Sequence, residues 1–245
     1  MSALIRPQWP VPAGVGACST TRLGGVSLPP YDTLNLGAHV GDNPARVAEN
    51  RQRLVEMAGL PAMPHWLEQV HGTQVLRLEG QVPSADSLRA DAVYTQLPGQ
   101  VCAVMTADCL PVLFCSRHGD EVAAAHAGWR GLCAGVLENT LRQFRCAPAD
   151  VMVWFGPAIG PQAFEVGTEV RATFMAHDPA AEAAFHPSGE KYMADIYQLA
   201  RQRLLAAGVR QLYGGGHCTV SDPVNFFSYR RDSTTGRLAT LIWLI

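Results

Sequence analysis

The sequence predicts a mixed α/β fold in a single domain, with helices packed on a mixed β-sheet. Apolar runs of strand length, such as VCAVMT, LPVLFC, EVAAA and VMVWF, alternate with stretches of helical periodicity. No internal repeat, low-complexity tract or shift in composition marks a boundary within the chain. Residues 1–245 are therefore predicted to form one domain.

Composition narrows the class of protein. With 48% hydrophobic and 16% charged residues, the 245-residue chain has the profile of a soluble globular enzyme. A net charge of −2 and the lack of a Lys/Arg run argue against binding to nucleic acid or membrane surfaces. No signal-peptide core is present at the start, and the terminal run LATLIWLI is too short to span a bilayer. Seven cysteines without a CxxC pair favour a reducing compartment, so we expect a cytoplasmic protein.

Three helices are predicted from capping residues and periodicity. Asn43 is a favourable N-cap, Pro44 suits the first helical position and Gly59 ends the helix. A second helix is expected to begin near Gly131, because the apolar residues after it recur at helical spacing. An amphipathic pattern predicts a third helix over Tyr192–Ala207.

The remaining apolar stretches predict strands and loops. HWLEQVHGTQVLRLE indicates two strand pieces that pivot at His71 and Gly72, and AVYT indicates another strand. VMVWF is expected to run into a stiff loop at 156–161, followed by a helix that carries Phe164 and Glu165. VRQLYGGGHCT, FFSYRRD and RLATLIWLI are predicted to be strands near the end of the chain.

Reactive side chains follow the ends of several predicted strands. Asp108 and Cys109 follow one apolar run, His126 follows another, and His71 lies at a bend beside glycine. Such junctions often carry functional groups, because the sheet holds the loop while its side chains stay free. Cys109 and His126 fit either a nucleophile and its base or two ligands of a metal such as zinc. Their spacing leaves both interpretations open.

Two arginines occupy positions suited to an anion. Arg22 stands close to Gly24 and Gly25, where a guanidinium and backbone N–H groups could bind an anion together, although these residues alone favour a surface arginine beside a turn. Arg130 precedes the helix predicted near Gly131, and the N-terminus of a helix favours negative charge. These positions suggest a phosphate site near Arg130.

Five motifs, STTRLGG, QVHG, TADC, HAGWRG and FFSYRRD, occur in this order along the chain. Together they resemble the YfiH family, also called the peptidoglycan editing factor or purine nucleoside phosphorylase-like "polyphenol oxidase" family. The resemblance runs from about Ser19 to Ile245. The chain departs from it at Gln162 and Ala163, where family members often have cysteines, which argues against an essential thiol at that place.

The resemblance implies a YfiH-like catalytic domain with a zinc ion held by His71, Cys109 and His126. Three protein ligands leave a fourth position open, as in catalytic zinc sites, and copper is the less favoured metal. The implied reactions are phosphorolysis of the purine nucleosides adenosine, inosine and methylthioadenosine, and deamination of adenosine. The expected partners are these small molecules and phosphate. Neither nucleic acid nor membrane is expected, and the oligomeric state is not predicted.

Phosphorolysis needs cations for phosphate and a group that moves a proton. Arg22, Arg130 and the inward-facing one of Arg230 and Arg231 are the candidate cations, since alternation along a strand would direct only one of the last two inward. Asp108, beside the thiolate, is a candidate acid/base, or else a residue that orients a ligand. The adjacent His217 and Cys218 would point to opposite faces of a strand, so they are not proposed as ligands of one ion.

Three alternatives remain beside the phosphorylase. A cysteine hydrolase acting on cell-wall precursors would use Cys109 as nucleophile and His126 as base. A multicopper laccase is built on several HxH pairs, and none of the eight histidines forms one. A non-enzymatic binding module would give the thiol and the two histidines no chemical role.

Overall fold

The protein, represented by a computed structural model, is described over residues 2–245 and has the predicted mixed α/β architecture. The strands are β1 Leu4–Ile5, β2 Val15–Thr20, β3 Val75–Leu78, β4 Ala92–Thr95, β5 Val101–Thr106, β6 Leu110–Ser116, β7 Val122–Ala127, β8 Val151–Phe155, β9 Glu165–Val166, β10 Phe185–Ser188, β11 Lys191–Ala194, β12 Gln211–Gly214 and β13 Leu238–Leu244. The helices are α1 Pro44–Ala58, α2 Trp129–Ala134, α3 Val136–Leu141, α4 Thr168–His177, α5 Ile196–Ala206 and α6 Tyr229–Asp232.

The strands are distributed over three sheets. Six strands form a sheet in the order β12-β8-β6-β7-β4-β3, four form a second in the order β1-β2-β13-β5, and β10-β11-β9 form a third. The largest sheet is mixed, because β12 is parallel to β8 and β3 to β4, whereas β6 and β7 pair antiparallel. The mixed character was therefore predicted correctly, but the division into three sheets was not.

Strand β6 lies between two apolar layers, and all seven of its residues are buried. Phe114 belongs to the apolar cluster shared with α3, α4 and α5, whereas Leu113 belongs to the cluster shared with β5 and β13 of the four-stranded sheet. A strand buried on both faces needs apolar residues at every position. This explains why LPVLFC is a continuous apolar run rather than an alternating one.

Helix α1 has the predicted caps. Asn43 Oδ1 accepts a hydrogen bond from the N–H of Ala45 at 2.9 Å, and Gly59 ends the helix with φ of 66°. The helix predicted near Gly131 instead begins at Trp129 and is interrupted at Gly135, whose φ of 103° is unfavourable for other residues. Two short helices therefore replace the one that periodicity predicted.

Three other predicted elements were wrong. The stretch before His71 is not a strand, because it forms no ladder, and only β3 follows it. Phe164 and Glu165 lie in a turn and in β9 rather than on a helix. Tyr192 and Met193 pair with β9 as part of β11, so their helical spacing was coincidental.

The third helix is therefore shorter than predicted. It begins only at Ile196, after Asp195, whose side chain accepts a hydrogen bond from the N–H of Gln198 at 3.0 Å. Within residues 2–245 no helix is both long enough and apolar enough to cross a membrane.

Candidate metal centre and active site

His71, Cys109 and His126 come together although they lie far apart in the sequence. Their potential ligand atoms are all within 4.8 Å of one another. Cys109 Sγ is 3.8 Å from His71 Nε2, and the two imidazole rings meet edge to face with centroids 4.8 Å apart. The structure thus places the three predicted ligands in one group, which we call the His/Cys centre.

The sheet brings two of these residues to one edge. In the β6–β7 ladder Leu110 pairs with Ala127 and Pro111 pairs with His126, so Cys109, directly before β6, lies beside the end of β7. Cys109 follows a tight turn in which Asp108 has a φ of 101°. Few residues other than glycine adopt such a φ, and its presence at a strand end is typical of a functional loop.

Asp91 connects the histidines and was not identified from the sequence. Its fully buried carboxylate accepts hydrogen bonds from the N–H groups of Val70, His71 and Gly72 at 3.1, 2.9 and 2.8 Å. The same carboxylate accepts a bond from His126 Nδ1 at 2.8 Å. This bond leaves Nε2 as the free nitrogen of His126, and a carboxylate behind a histidine is a common support of metal ligands.

The chemistry of Asp91 agrees with this supporting role. Burial alone would raise the pKa of the carboxyl, but the hydrogen bonds from His126 and from the N–H groups of Gly72 and Val70 lower it below its usual value. The acceptor is therefore a carboxylate at neutral pH. In the sequence Asp91 is an acidic residue just before the strand AVYT, and it lies in none of the five motifs.

Gly128 closes one side of the His/Cys centre. A methyl group at this position would lie 2.8 Å from Cδ2 of His71 and 3.0 Å from Sγ of Cys109. Because Gly128 has an ordinary φ of −66°, the requirement for glycine is one of space rather than of backbone conformation. The sequence contained this residue in the HAGWRG motif without indicating its role.

The thiol and the imidazole favour each other's charged form. Burial would raise the pKa of Cys109, but the charge of His126 and hydrogen bonds to both histidines outweigh it and lower the pKa to about 6. Burial would lower the pKa of His126, whereas the Cys109 thiolate and Asp91 raise it to about 9. The thiolate is the form in which cysteine binds metals and attacks electrophiles.

The donor set fits a zinc ion. A thiolate sulfur and two imidazole nitrogens are usual zinc ligands, and three of them leave a coordination position for water or substrate. Among residues 2–245, this is the one group of three or more His, Cys, Asp and Glu side chains with such spacing. His217 and Cys218 lie outside it, and Cys218 Sγ accepts the N–H of Gly160 at 3.2 Å.

Asp108 is held by two hydrogen bonds. Its Oδ1 accepts the hydroxyl of Thr219 and its Oδ2 accepts the N–H of Arg230, both at 2.6 Å. The carboxylate therefore joins the turn that carries Cys109 to the first turn of α6. This geometry is that of a positioning residue, and the acid/base role of Asp108 stays a prediction.

The two predicted phosphate-binding arginines differ in whether the guanidinium is already bound within the chain. Arg130 is exposed and forms no hydrogen bond with the described residues, while its guanidinium carbon lies 4.6 Å from the ring centroid of Trp129. Arg22 donates to the backbone oxygen of Asp32 at 2.7 Å and to that of Pro223 at 3.1 Å, and its guanidinium stacks on Phe227. Arg130 is available to a ligand, whereas Arg22 is engaged in joining loops.

Arg230 and Arg231 do not alternate across a strand, because FFSYRRD ends in α6. Arg231 donates to the backbone oxygens of Thr219, Val220 and Phe226 and is fixed by them. The Arg230 side chain is exposed and donates to the oxygen of Glu165 at 2.9 Å. The assumption of strand alternation was therefore wrong. The two arginines differ instead in their hydrogen bonds, because Arg231 is held by three backbone oxygens and Arg230 by one.

Comparison with known proteins places these features in a family. A family model described as multi-copper polyphenol oxidoreductase laccase matches residues 16–245. The purine nucleoside phosphorylase YfiH of Escherichia coli K12 is 66% identical over 245 residues, covering 100% of both chains. A purine nucleoside phosphorylase of Haemophilus influenzae is 54% identical over 242 residues, covering 98% of both. The crystal structure of Neisseria meningitidis protein NMB0706 shares a TM-score of 0.92 at 48% identity, covering 99% of both chains. By sequence and by fold, the chain belongs to the YfiH family.

Proposed function

We propose that this chain is a zinc-dependent purine nucleoside phosphorylase acting on adenosine, inosine and methylthioadenosine, with adenosine deamination as a second activity. The His/Cys centre is the observation that carries the proposal, because three donor atoms within 4.8 Å of one another provide a metal site. Full-length relatives named purine nucleoside phosphorylase support the substrate class. We propose further that residues 1–245 form one catalytic domain and that the enzyme is cytoplasmic.

His71, Cys109 and His126 hold the metal in this proposal, and Asp91 orients His126 and the loop of His71. When bound, zinc supplies positive charge at the reacting atoms and a water that ionises near neutral pH. Zinc is proposed rather than copper, because three protein ligands with an open position are typical of catalytic zinc and no HxH pair is available for a multicopper cluster.

In phosphorolysis a phosphate oxygen bonds to ribose C1′ while the bond from C1′ to the purine nitrogen breaks. The purine takes the bonding electrons and then a proton, so the products are the free base and ribose 1-phosphate. Asp108 is the proposed acid/base, and its Oδ1 accepts a hydrogen bond from the buried Thr219 hydroxyl. Arg130 is the proposed phosphate cation, Arg230 a further candidate, and Arg22 the least available because of its bonds within the chain.

Inosine provides the sharpest test of this function. It has no amine to lose, so the expected reaction consumes phosphate and releases hypoxanthine and ribose 1-phosphate. Purified zinc-loaded protein is incubated with inosine with and without phosphate, and the products are separated by chromatography. The Cys109→Ala variant is the control for contaminating activity. Free ribose released at the same rate without phosphate would contradict phosphorolysis.

Deamination is tested separately with adenosine in phosphate-free buffer. The proposal expects inosine and ammonia to form there, because this reaction needs water and no phosphate. Arg130→Ala is expected to lower phosphorolysis about ten- to a hundredfold, since a charge-assisted contact is worth about 1.5–3 kcal/mol. Deamination by the same variant should stay near the wild-type rate. An equal fall in both activities with zinc retained would remove Arg130 from the phosphate site.

A second candidate function is a cysteine hydrolase that edits cell-wall precursors. The observation in its favour is the paired Cys109 thiolate and charged His126, which is the ground state of a cysteine nucleophile with its base. Metal content separates the two functions, since a thiolate bound to zinc is a poor covalent nucleophile. Wild-type protein that is fully active after complete removal of metal, and inactivated by alkylation of Cys109, would establish the hydrolase instead.

A further inference from the structure

Arg237 lies beside the turn that carries Cys109, although it is far away in the sequence. It directly precedes β13, whose first residue Leu238 pairs with Thr106 at the end of β5. The chain continues from Thr106 through a single residue to Asp108 and Cys109. Antiparallel pairing therefore places the start of β13 next to the His/Cys centre.

The guanidinium of Arg237 has no anionic partner. Its Nη1 donates to the backbone oxygens of Thr235 and Gly236, at 3.2 and 3.1 Å. In the part of the chain that the structure describes, its Nε and Nη2 form no hydrogen bond, and the side chain forms no ion pair. Arg203, by contrast, is paired with Glu138. A half-buried arginine without a carboxylate is costly to desolvate, and a bound anion would compensate for this.

The side chain is fixed in place before any ligand arrives. A methyl group on Gly37 would lie 2.8 Å from Cγ of Arg237, so the loop packs against the arginine stem. Asn35 Oδ1 accepts the backbone N–H of Arg237 at 2.9 Å, and the ring of Tyr229 lies 5.9 Å from the guanidinium carbon. Such contacts reduce the entropy that the arginine loses when it binds a ligand.

The charges around Arg237 agree with its position next to the centre. Burial lowers the pKa of Arg237 below its usual value, and the negative charges of Cys109 and Asp108 oppose that shift. Burial also lowers the pKa of His39, and the positive charges of Arg237 and Arg51 lower it further. Arg237 is therefore close enough to Cys109 and Asp108 for their charges to act on it.

We propose that Arg237 binds the phosphate co-substrate next to the His/Cys centre, through its free Nε and Nη2 atoms. The inference rests on the proposed phosphorylase function, in which phosphate is the anionic reactant and the nucleoside is neutral. Two parallel N–H donors match two oxygens of a tetrahedral anion, which is the geometry in which arginine exceeds lysine. Arg237 thereby joins Arg130 as a cation of the phosphate site.

The first test compares Arg237→Met with wild type in inosine phosphorolysis. Methionine keeps much of the packing against Gly37 but removes the charge. The KM for phosphate should rise about ten- to a hundredfold, with a smaller change in the KM for inosine and unchanged zinc content. Arg237→Lys should lie between the two, since it keeps the charge and loses the paired donors. Arg210→Met is the matched control, because Arg210 Nη1 also donates to two backbone oxygens, those of Leu205 and Val209.

A direct binding measurement separates this inference from the proposed function. Inorganic phosphate is titrated into zinc-loaded wild type, Arg237→Met, Arg237→Lys and Arg210→Met, and binding is followed by ³¹P NMR or calorimetry. Weaker binding in the Arg237 variants alone supports the subsite, even if wild type fails to cleave inosine, in which case only the phosphorylase function falls. Equal phosphate affinity in wild type and folded Arg237→Lys and Arg237→Met, or no binding by wild type, would overturn the inference.

Discussion

The His/Cys centre and a cleft beside α3 and α5 are different places, and their charged groups are arranged differently. The cleft has a volume of about 560 Å³ and includes Glu138, Cys146 and Arg203 in its wall, but none of the three candidate ligands. In the cleft Arg203 is paired with Glu138 and also donates to the backbone oxygen of Cys133. In the centre, the donor atoms of His71, Cys109 and His126 converge on one another.

The proposed function therefore locates the chemistry by the convergence of donor atoms rather than by the volume of a cleft. The ion pair in the cleft neutralises its own charges and connects α3 with α5. In the centre, Asp91 accepts hydrogen bonds from Nδ1 of His126 and from the backbone N–H of His71, so it leaves Nε2 of His126 for a ligand. The cysteines of the two regions differ in the same way. Burial raises the pKa of Cys146 in the cleft to about 11, whereas the histidines lower the pKa of Cys109 in the centre to about 6.

The largest expected effect comes from removing a candidate ligand. His71→Ala, Cys109→Ala and His126→Ala should each lose zinc and activity together, because each removes one of only three protein ligands. Elemental analysis and the inosine assay measure both quantities, and circular dichroism checks that the fold survives. Glu138→Gln in the cleft is the control, expected to keep zinc and activity while losing about 1–3 kcal/mol of stability. Undiminished zinc in all three alanine variants would remove the ligand assignment.

In metal-free protein at pH 7, alkylation of Cys109 should be about a hundredfold faster than alkylation of Cys146. The thiolate fractions of Cys109 and Cys146 differ by about 10⁴ at this pH. A thiolate of lower pKa is intrinsically less reactive, which lowers the expected ratio of the two alkylation rates to about 10². The rate at Cys109 should fall as the pH drops through about 6 and stay level above it. Peptide mass spectrometry after timed iodoacetamide treatment gives both rates. A Cys109 rate that still rises tenfold per pH unit up to pH 9 would show an ordinary thiol.

Replacing the residue behind the ligands should have a smaller effect than replacing a ligand. Asp91→Asn keeps one acceptor oxygen but loses the charge that orients His126, so zinc affinity should fall about ten- to a hundredfold. Competition with a chromophoric chelator measures this affinity. Thermal melting of the zinc-free protein reports the structural part of the change. Unaltered zinc affinity in Asp91→Asn would limit Asp91 to holding the loop.

The smallest expected effect concerns the space beside the ligands. Gly128→Ala adds a methyl group 2.8 Å from His71, which must move, so zinc affinity should fall about tenfold. Gly216→Ala is the matched control, because nothing lies within 4 Å of its added methyl group. Chelator competition on both variants gives the comparison. Equal affinities would mean that the centre tolerates displacement of His71.

Much of the architecture could be predicted from local patterns. The caps of α1, the strands from β4 to β8 and the mixed α/β class follow from residues that act within a few positions of one another. Errors arose where pairing with distant residues decided the outcome. Tyr192 and Met193 have helical spacing, but β9 offers them a ladder, and backbone hydrogen bonds to a partner strand override a weak local preference.

The sequence by itself determined the family and pointed to the three residues in the centre, because each belongs to a short motif that resembles one of the YfiH family. Tertiary structure alone decided which other residues support them. Asp91 lies outside the five motifs, and Gly128 lies in HAGWRG without any sign of its neighbours, so their contacts become visible only in the fold. The same holds for Arg237 and the phosphate role proposed for it. The physical reason is that hydrogen bonding, exclusion of a methyl group and an unpaired guanidinium depend on distances between strands, which a linear pattern does not contain.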